Sequence, residues 1–326
     1  MGSKRYLVTG GSGFIGAALV HRLVDEGHNV RVLDNNSRGS ARRLQDIAGD
    51  IEFLQADIRD AAAVAVAAKG TDSVCHLAFV NGTQFFYSQP ELVLDVGVKG
   101  IVNIIDACLR YDVPELIVAS SSEVYQTPAV VPTDETAPMS IPDPLNPRYS
   151  YAAGKIISEI MAINYGRTHF ERVVIFRPHN VYGADMGWEH VIPQFVLRMK
   201  ALCAEQSGPI QFPIQGTGKE TRAFVYIEDF SAGLYLLLQR GEHQGIYNIG
   251  TQEEISIAAL ARLIGEYFGR EVDVVPGDPA RGGTPRRCPD ITKLRALGYR
   301  PRYALRDGLP IAARWYDAHA HEAPVP

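Results

Sequence analysis

The chain has 326 residues, of which 46% are hydrophobic and 21% charged, and its formal net charge at pH 7 is −5. These proportions are typical of a globular protein whose core is large enough to form without disulfides or structural metals. The negative net charge argues against a general nucleic-acid binder, and no apolar run in the sequence is long enough to cross a bilayer.

The cysteines Cys75, Cys108, Cys203 and Cys288 have neither the spacing of metal ligands nor the pattern of a disulfide framework. The first predicted strand begins within six residues of Met1, which leaves no room for a signal peptide. We therefore expect a cytoplasmic protein without a metal site, with Cys75 and Cys108 packed in its core.

A glycine-rich turn joins the first predicted strand, 6–9, to a predicted apolar helix over 14–26. In such a turn Gly10 permits a sharp change of direction, and Gly13 leaves room for a pyrophosphate. Gly16 lets the helix pack closely on the strand. The helix N-terminus offers unpaired N–H groups to phosphate oxygens. The sequence therefore predicts a dinucleotide-binding turn.

The second predicted strand, 30–33, ends in Asp34, about 20 residues beyond the glycine turn. A carboxylate at this place accepts hydrogen bonds from the ribose hydroxyls of NAD and repels the 2′-phosphate of NADP. We therefore expect the cofactor to be NAD.

Strands and helices alternate through the first half of the chain. Further strands are predicted over 51–54, 73–77, 116–119 and 173–176, and further helices over 61–69, 92–111 and 150–168. Strands separated by helices form parallel sheets, so residues 1–176 are predicted to be an α/β domain with a Rossmann-type doubly wound sheet.

The pattern loosens after residue 176. Residues 177–318 are predicted to be mostly a smaller α+β lobe that binds the substrate, with strands over 210–214, 223–226, 245–249 and 272–275. We expect this lobe over the carboxyl ends of the sheet strands, where open α/β sheets bind ligands. Residues 319–326 are expected to form a disordered tail.

Tyr151 and Lys155 are four residues apart and share one face of a predicted helix. An ammonium beside a phenol favours the phenolate, so we expect Lys155 to lower the pKa of Tyr151. Ser121 follows a predicted strand and is expected at the mouth where ligands bind. Together with the glycine turn, these three residues predict hydride transfer from a substrate hydroxyl.

These segments resemble the extended short-chain dehydrogenase/reductase family, specifically its nucleotide-sugar epimerase/dehydratase branch. The resemblance covers nearly the whole chain. It rests on Tyr151 with Lys155 and on segments 9–16, 33–35, 57–58, 76–78, 120–125, 177–183, 221–226 and 286–291.

The resemblance implies a tightly held NAD and a nucleotide-diphosphate sugar as substrate, with a UDP-sugar favoured. Its cofactor contacts are Gly10, Gly13, Phe14, Ile15, Gly16, Asp34, Asn35, Asp57, Ile58, Leu77, Ala78, Tyr151, Lys155 and Pro178. Its substrate contacts are Asn180, Arg222 and Arg287, the arginines binding the diphosphate. Tyr151 would take the proton of the sugar C4 hydroxyl while hydride leaves C4, giving a 4-keto sugar.

Three second steps remain open at this point. Epimerisation is favoured because it is the commonest activity on this scaffold. UDP-glucuronate decarboxylation is the alternative. Decarboxylases carry a Ser-Glu pair that resembles Ser122 and Glu123 beside the catalytic Ser121, and an Arg that resembles Arg287. Dehydration is disfavoured, because dehydratases have an Asp where this chain has Ser122.

Two readings outside this group are also considered. A catalytically silent NAD-sensing protein is opposed by the intact Tyr151, Lys155 and Ser121. An NADPH-dependent reductase of small carbonyl compounds is opposed by Asp34.

Some positions depart from the family pattern. Gln126 replaces a usual Gly, and Gly97 replaces a usual Asn inside a predicted helix. The helices over 92–111 and 150–168 carry more apolar residues than one buried face requires, so we expect a homodimer formed through them.

Overall fold

The computed structural model describes residues 2–278 and 283–324. Its strands are β1 (Arg5–Thr9), β2 (Asn29–Asp34), β3 (Ile51–Gln55), β4 (Ser73–His76), β5 (Glu115–Ala119), β6 (Arg172–Pro178), β7 (Val181–Tyr182), β8 (Ile210–Pro213), β9 (Thr221–Ala223), β10 (Val225–Tyr226), β11 (Gly245–Ile249), β12 (Glu254–Ser256), β13 (Val272–Val275) and β14 (Arg286–Arg287).

The α-helices are α1 (Phe14–Asp25), α2 (Ala61–Ala68), α3 (Thr83–Ser88), α4 (Pro90–Arg110), α5 (Ser150–Gly166), α6 (Val191–Glu205), α7 (Ile227–Arg240), α8 (Ile257–Tyr267), α9 (Thr292–Ala296) and α10 (Leu305–Ala318). Short 3-10 helices cover Ala41–Ile47, Ser122–Tyr125, Pro147–Tyr149 and Ala320–Glu322. Within the described residues, no helix combines the length and the apolar character needed to cross a membrane.

Seven parallel strands form the central sheet, in the order β11-β6-β5-β4-β1-β2-β3. Alternate side chains of each strand point to opposite faces. Tyr6 and Val8 pack with α1 and α7 on one face, while Leu7 packs with α2, α4 and α5 on the other. The predicted doubly wound sheet is therefore confirmed, and its first six strands and four of its helices agree with the sequence ranges to within two residues.

The chain crosses between the two lobes more often than the predicted boundary at residue 176 implies. β11 pairs with β6 at the edge of the central sheet, with Ile249 opposite Pro178. Leu234 and Leu238 of α7 are buried in the same core as α1. Much of the segment 227–249 is therefore part of the Rossmann sheet and its helical layer, although it lies in sequence within the predicted substrate lobe.

The second lobe has its own core. Phe195 of α6, Phe212 of β8 and Leu260 of α8 are buried there with Tyr316 of α10. Its strands form small sheets, β13 with β8 and β12-β9-β14. This lobe places β9 and β14 opposite the carboxyl ends of the central strands.

The chain end differs from the expected disordered tail. Residues 320–322 form a 3-10 helix, His319 stacks on Trp315 with ring centroids 4.2 Å apart, and Glu322 pairs with Arg42 at 2.9 Å. These contacts hold residues 319–324 against the body of the protein. Residues 325 and 326 lie outside the described part of the chain.

Candidate active site

A cleft of about 570 Å³ lies at the carboxyl ends of the central strands, with walls from both lobes. All the residues predicted for catalysis and cofactor binding line this cleft, as do Asn180 and Arg287. Arg222 is not among the lining residues that the structure describes. The fold therefore brings nearly the whole predicted site together.

The glycine turn is shaped as the sequence predicts. Gly10 has φ +71°, and a Cβ there would lie 2.7 Å from the backbone nitrogen of Ala78. A Cβ on Gly16 would overlap the carbonyl oxygen of Gly10, whereas one on Gly13 would meet only that oxygen, at 3.2 Å. Gly13 caps α1 without a side chain, so the first N–H groups of the helix remain available to an anion. This cradle fits the pyrophosphate of a dinucleotide.

Asp34 ends β2 at the floor of the cleft. Its carboxylate accepts hydrogen bonds from the backbone N–H groups of Ser12, at 3.0 Å, and Asn36, at 2.8 Å. The next residue, Asn35, donates to the carboxylate of Asp57 at 3.0 Å. The acidic groups predicted for the adenosine side are therefore fixed in position by their neighbours.

The catalytic residues predicted from the sequence converge at the opposite end of the cleft. Tyr151 and Lys155 lie one turn apart on α5 and are buried. The ammonium of Lys155 donates to the carbonyl oxygen of Ala119, at the end of β5, at 2.7 Å. Ser121 follows β5, and its hydroxyl oxygen accepts a hydrogen bond from the backbone N–H of Glu123 at 3.2 Å. The same hydroxyl lies close enough to Tyr151 to lower the pKa of the phenol.

The expected lowering of the Tyr151 pKa is wrong for this arrangement. Burial raises the pKa of Tyr151 well above its ordinary value, and the Ser121 hydroxyl opposes this only in part. Burial also lowers the pKa of Lys155 to about 7, against the charge of Glu159. The physical reason is that both side chains are shielded from water and the ammonium is directed at Ala119 rather than at the phenol.

An aromatic ring that the sequence analysis did not single out contacts this pair. Phe79 meets Tyr151 edge-to-face, with centroids 5.1 Å apart and an interplanar angle of 81°. The Nζ atom of Lys155 lies 4.0 Å from the centroid of the same ring. A Cβ on Gly97 would lie 2.6 Å from Cε2 of Phe79, and one on Gly154 would lie 2.8 Å from its Cζ. Gly97, which costs about 1 kcal/mol relative to Ala in a helix interior, therefore leaves the space that the ring fills.

A second aromatic ring covers Tyr151. Phe86 of α3 stacks on the phenol with centroids 4.8 Å apart and an interplanar angle of 20°. No helix was predicted for this six-residue segment, whose position depends on tertiary packing. Tyr151 is thus held between two phenylalanine rings.

The carboxylate of Glu123 is enclosed by guanidinium groups. It accepts a hydrogen bond from Nη1 of Arg287 at 2.8 Å and lies 3.9 Å from Nη2 of Arg148. Burial raises the pKa of Glu123, but the two arginines outweigh this effect and hold the pKa below its ordinary value. Glu123 is therefore ionised at neutral pH and has no proton to give. The sequence analysis did not identify Arg148, because a basic residue three positions before Tyr151 is a weak signal.

Arg222 lies beside Arg287, since β9 pairs with β14 in the register Arg222 opposite Arg287. Its Nη1 donates to the carbonyl oxygen of Thr221 at 2.7 Å. Burial lowers the pKa of Arg222 to about 10, and the charge of Arg287 acts in the same direction. Arg222 therefore adds positive charge behind the cleft wall rather than on it.

Gln126 adopts a backbone conformation that favours glycine, with φ +53°. Its side chain donates to the carbonyl oxygen of Glu123 at 2.6 Å, and its own carbonyl accepts from the hydroxyl of Thr284 at 3.0 Å. A non-glycine residue here is strained, and these bonds hold the strained turn directly beside the Glu123 carboxylate.

A buried ion pair anchors the catalytic helix to the sheet. Glu159 lies one turn beyond Lys155 on α5 and binds the guanidinium of Arg177 on β6, with N–O distances of 2.8 and 2.7 Å. Both side chains are almost fully buried, and Ser120 also donates to Glu159. The pair fixes α5, and with it Tyr151, against the end of the sheet.

Arginines at the rim join the two lobes across the cleft. Arg38 pairs with Glu189 at 2.7 Å, and Arg43 pairs with Asp185 at 2.9 Å. These two ion pairs therefore connect the lobes beside the cofactor cleft.

Comparisons with known proteins agree with this geometry. Residues 6–250 match the NAD dependent epimerase/dehydratase family. A putative UDP-glucose 4-epimerase from Methanocaldococcus jannaschii is 32% identical over 315 residues, which cover 95% of this chain and 97% of that protein. UDP-glucuronic acid decarboxylase 6 from Arabidopsis thaliana is 32% identical over 323 residues, covering 95% and 88%.

A solved structure shows the same fold. The dTDP-glucose 4,6-dehydratase from Streptomyces venezuelae, determined with NAD bound, has a TM-score of 0.85 and 29% identity, with 98% of each chain covered. The matched family and the glycine cradle both indicate NAD as the cofactor. The chain belongs to the NAD-dependent epimerase/dehydratase family.

Proposed function

We propose that this protein oxidises the C4 hydroxyl of a nucleotide-linked hexose or hexuronate and returns the hydride to the opposite face, as a 4-epimerase. The observation that carries the proposal is the convergence of Tyr151, Ser121 and Lys155 on the cleft that also holds the glycine turn. The 4-epimerase among the relatives supports this order of preference, and a UDP-sugar is the favoured substrate.

Each catalytic residue has a separate role in this proposal. In the structure Tyr151 is a protonated phenol, because burial raises its pKa. The positive charge of oxidised nicotinamide would lower that pKa when NAD is bound, so that Tyr151 can accept the proton of the C4 hydroxyl while Ser121 hydrogen-bonds the same oxygen. Lys155, whose Nζ lies 5.8 Å from the Tyr151 ring centroid, stabilises the phenolate. Bound NAD supplies the hydride acceptor.

We infer that Asn180 and Arg287 contact the nucleotide sugar from the cleft wall. Asn180 has φ +38°, and its side chain donates to the carbonyl oxygen of Ala223 at 3.1 Å, which fixes its position. Arg222 attracts the diphosphate from behind Arg287, because the potential of a partly buried charge reaches past its immediate neighbour.

A second candidate function is decarboxylation of a nucleotide-linked hexuronate. The observation that favours it is the pairing of Glu123 with Arg287 next to Ser121. In this reaction the C5–carboxylate bond breaks, the electron pair moves into the 4-keto system, and carbon dioxide leaves. The decarboxylase among the relatives supports this candidate.

Dehydration has less support. Ser122 is not acidic, and Glu123 is held ionised by its arginines. Neither residue is suited to protonate a departing hydroxyl group.

The test is incubation with UDP-glucose, UDP-glucuronate and their N-acetyl relatives, followed by NMR and mass spectrometry. A product of equal mass inverted at C4 supports epimerisation, and a UDP-pentose supports decarboxylation. Absence of any product from all the substrates would contradict the proposal.

Glu123→Gln then separates the two candidates, because an epimerase needs no carboxylate there. The matched control is Glu254→Gln, which breaks another glutamate–arginine pair, with Arg286, outside the cleft. An epimerase retains its rate in both variants, whereas a decarboxylase loses it only in Glu123→Gln.

We also propose that two copies associate through α4 and α5. Leu94, Ile157 and Ile160 are large apolar side chains on these helices and are between one-third and one-half exposed. Exposed apolar side chains on two helices that pack together could form one surface for a partner copy.

A further inference from the structure

Phe79 follows β4 and lies two residues after Leu77 in the cleft wall. Its ring enters a slot between α4 and α5. The slot exists because Gly97 of α4 and Gly154 of α5 both lack a Cβ at the point where the ring passes. Both helices thus place a glycine against the Phe79 ring, and their backbones determine where the ring lies.

The same ring contacts both members of the catalytic pair. Its edge-to-face contact with Tyr151 is the favourable geometry for two aromatic rings. Lys155 Nζ lies 4.0 Å from its centroid, within the distance at which an aromatic face attracts an ammonium. Because Lys155 also donates to Ala119, the ring and this carbonyl together determine where the ammonium lies.

We propose that Phe79 is a positioning residue for Tyr151 and Lys155, and that Gly97 and Gly154 serve to admit its ring. The kinetic consequence of this inference rests on the proposed function, whereas its structural consequence does not. Phe79 keeps the phenol oriented towards Ser121 and excludes water from the ammonium.

Few other titratable groups are near enough to change the pKa of Lys155. Those that face it are Glu159 and Tyr151 on α5 and His76 on β4, while Glu123 acts on Tyr151. Glu159 is already paired in the core, and burial lowers the pKa of His76 to about 3, so its imidazole is neutral at working pH. A change at Phe79 therefore reaches Lys155 through the ring contact and through water.

The first test is a ¹³C NMR titration of the lysine side chains, with the Lys155 signal identified by its loss in Lys155→Met. Phe79→Leu keeps water out but removes the aromatic face, so we expect the Lys155 midpoint to fall. Phe79→Ala admits water, so the midpoint should rise. We expect each shift to be about half a pH unit or more.

The second test is the single-turnover rate at which UDP-glucose or UDP-glucuronate reduces the bound NAD. We expect Phe79→Leu to lower this rate about tenfold or more, because small displacements of reacting groups are costly. The Kd of the sugar nucleotide should not change. Phe79→Met is a second variant of similar volume, in case the first folds poorly.

The matched control is Phe268→Leu. Phe268 meets Tyr267 edge-to-face with centroids 4.9 Å apart and an interplanar angle of 88°, at the end of α8 and away from the cleft. This variant should alter neither the Lys155 midpoint nor the rate.

A rescue experiment tests the slot itself. Gly97→Ala alone should displace the ring of Phe79 and lower the rate, since its Cβ overlaps the ring. The double variant Gly97→Ala/Phe79→Leu should be no slower than Phe79→Leu alone.

The outcomes separate this inference from the proposed function. If no sugar nucleotide reduces the NAD of the wild-type protein, the proposed function fails, and the lysine titration still decides the role of Phe79. If the midpoint and rate of the Phe79 variants match those of Phe268→Leu, Phe79 is a packing residue alone and the inference is overturned.

Discussion

Glu123 and Arg287 are 164 positions apart in the chain, yet Nη1 of Arg287 donates to the Glu123 carboxylate at 2.8 Å in the wall of the catalytic cleft. Glu123 comes from the short 3-10 helix that follows β5 of the Rossmann sheet, and Arg287 comes from β14 of the second lobe. The contact therefore ties the two lobes together at the place where the reaction would occur.

Arg287→Met should lower the free energy of unfolding by about 1–2 kcal/mol at pH 7, because it leaves a mostly buried carboxylate without its main partner. The folded-state pKa of Glu123 lies below its ordinary value of 4.5. The pair therefore stabilises the protein above pH 4.5, and this stabilisation is lost as the pH falls through the folded-state pKa. Urea denaturation of both proteins at pH 7 and pH 3 measures this. An equal difference at the two pH values would contradict the assignment.

Tyr151→Phe should reduce turnover by about 10²–10⁴-fold, since it removes the group that takes the substrate proton. Binding of the sugar nucleotide, measured by calorimetry, should survive because the phenyl ring still fills the space between Phe79 and Phe86. Tyr303→Phe is the control, because it removes a surface hydroxyl that bonds to Glu228. Unchanged turnover in Tyr151→Phe would refute the role of this residue.

The purified protein should carry NAD rather than NADP. Asp34 is positioned by two backbone N–H groups at the adenosine end of the cleft, where its charge repels a 2′-phosphate. Mass spectrometry of the supernatant after denaturation identifies the dinucleotide. Asp34→Asn should weaken NAD binding and reduce the preference over NADP, whereas NADP alone in the wild-type protein would refute this prediction.

Arg177→Met should destabilise the protein by about 3–5 kcal/mol, because it leaves Glu159 charged and unpaired in the core. The double variant Arg177→Met/Glu159→Leu should recover part of this loss, since no buried charge then remains unpaired. Thermal or urea unfolding of the two variants makes the comparison. A double variant less stable than Arg177→Met would show that the pair does not behave as a unit.

Ile160→Lys should shift the protein towards the monomer if α4 and α5 form the dimer contact. Ile160 is 48% exposed on α5 and lies away from the cleft wall. Analytical ultracentrifugation across a concentration series measures the mass. Ile311→Lys on α10, where the side chain is 43% exposed, is the matched control and should leave the mass unchanged.

The Rossmann half could be predicted because its signals are local. The apolar strand before Gly10, the helix after it and Asp34 at the end of the next strand each follow from short-range periodicity and backbone geometry. Tyr151 and Lys155 are likewise related by one helical turn, so their proximity needs no knowledge of the fold.

Contacts between distant segments could not be predicted in the same way. Nothing in residues 245–249 indicates that β11 pairs with β6 rather than with a strand of the second lobe. The rise of the Tyr151 pKa depends on the burial of the phenol between Phe79 and Phe86. The orientation of the Lys155 ammonium depends on the Ala119 carbonyl. The one local signal for Phe79 was Gly97, a glycine in a helix interior whose purpose appears only when the facing ring is in place.

The pairing of β11 with β6 also limits how this protein can be rearranged. A fragment ending at residue 176 would expose the edge of β6 and the faces that α7 covers, so it would lack part of its own core. Exchange of the second lobe with that of a relative would need several junctions instead of one. Recombination at a single point would therefore divide this core, and substitutions in the cleft wall are the less disruptive route to a changed substrate preference.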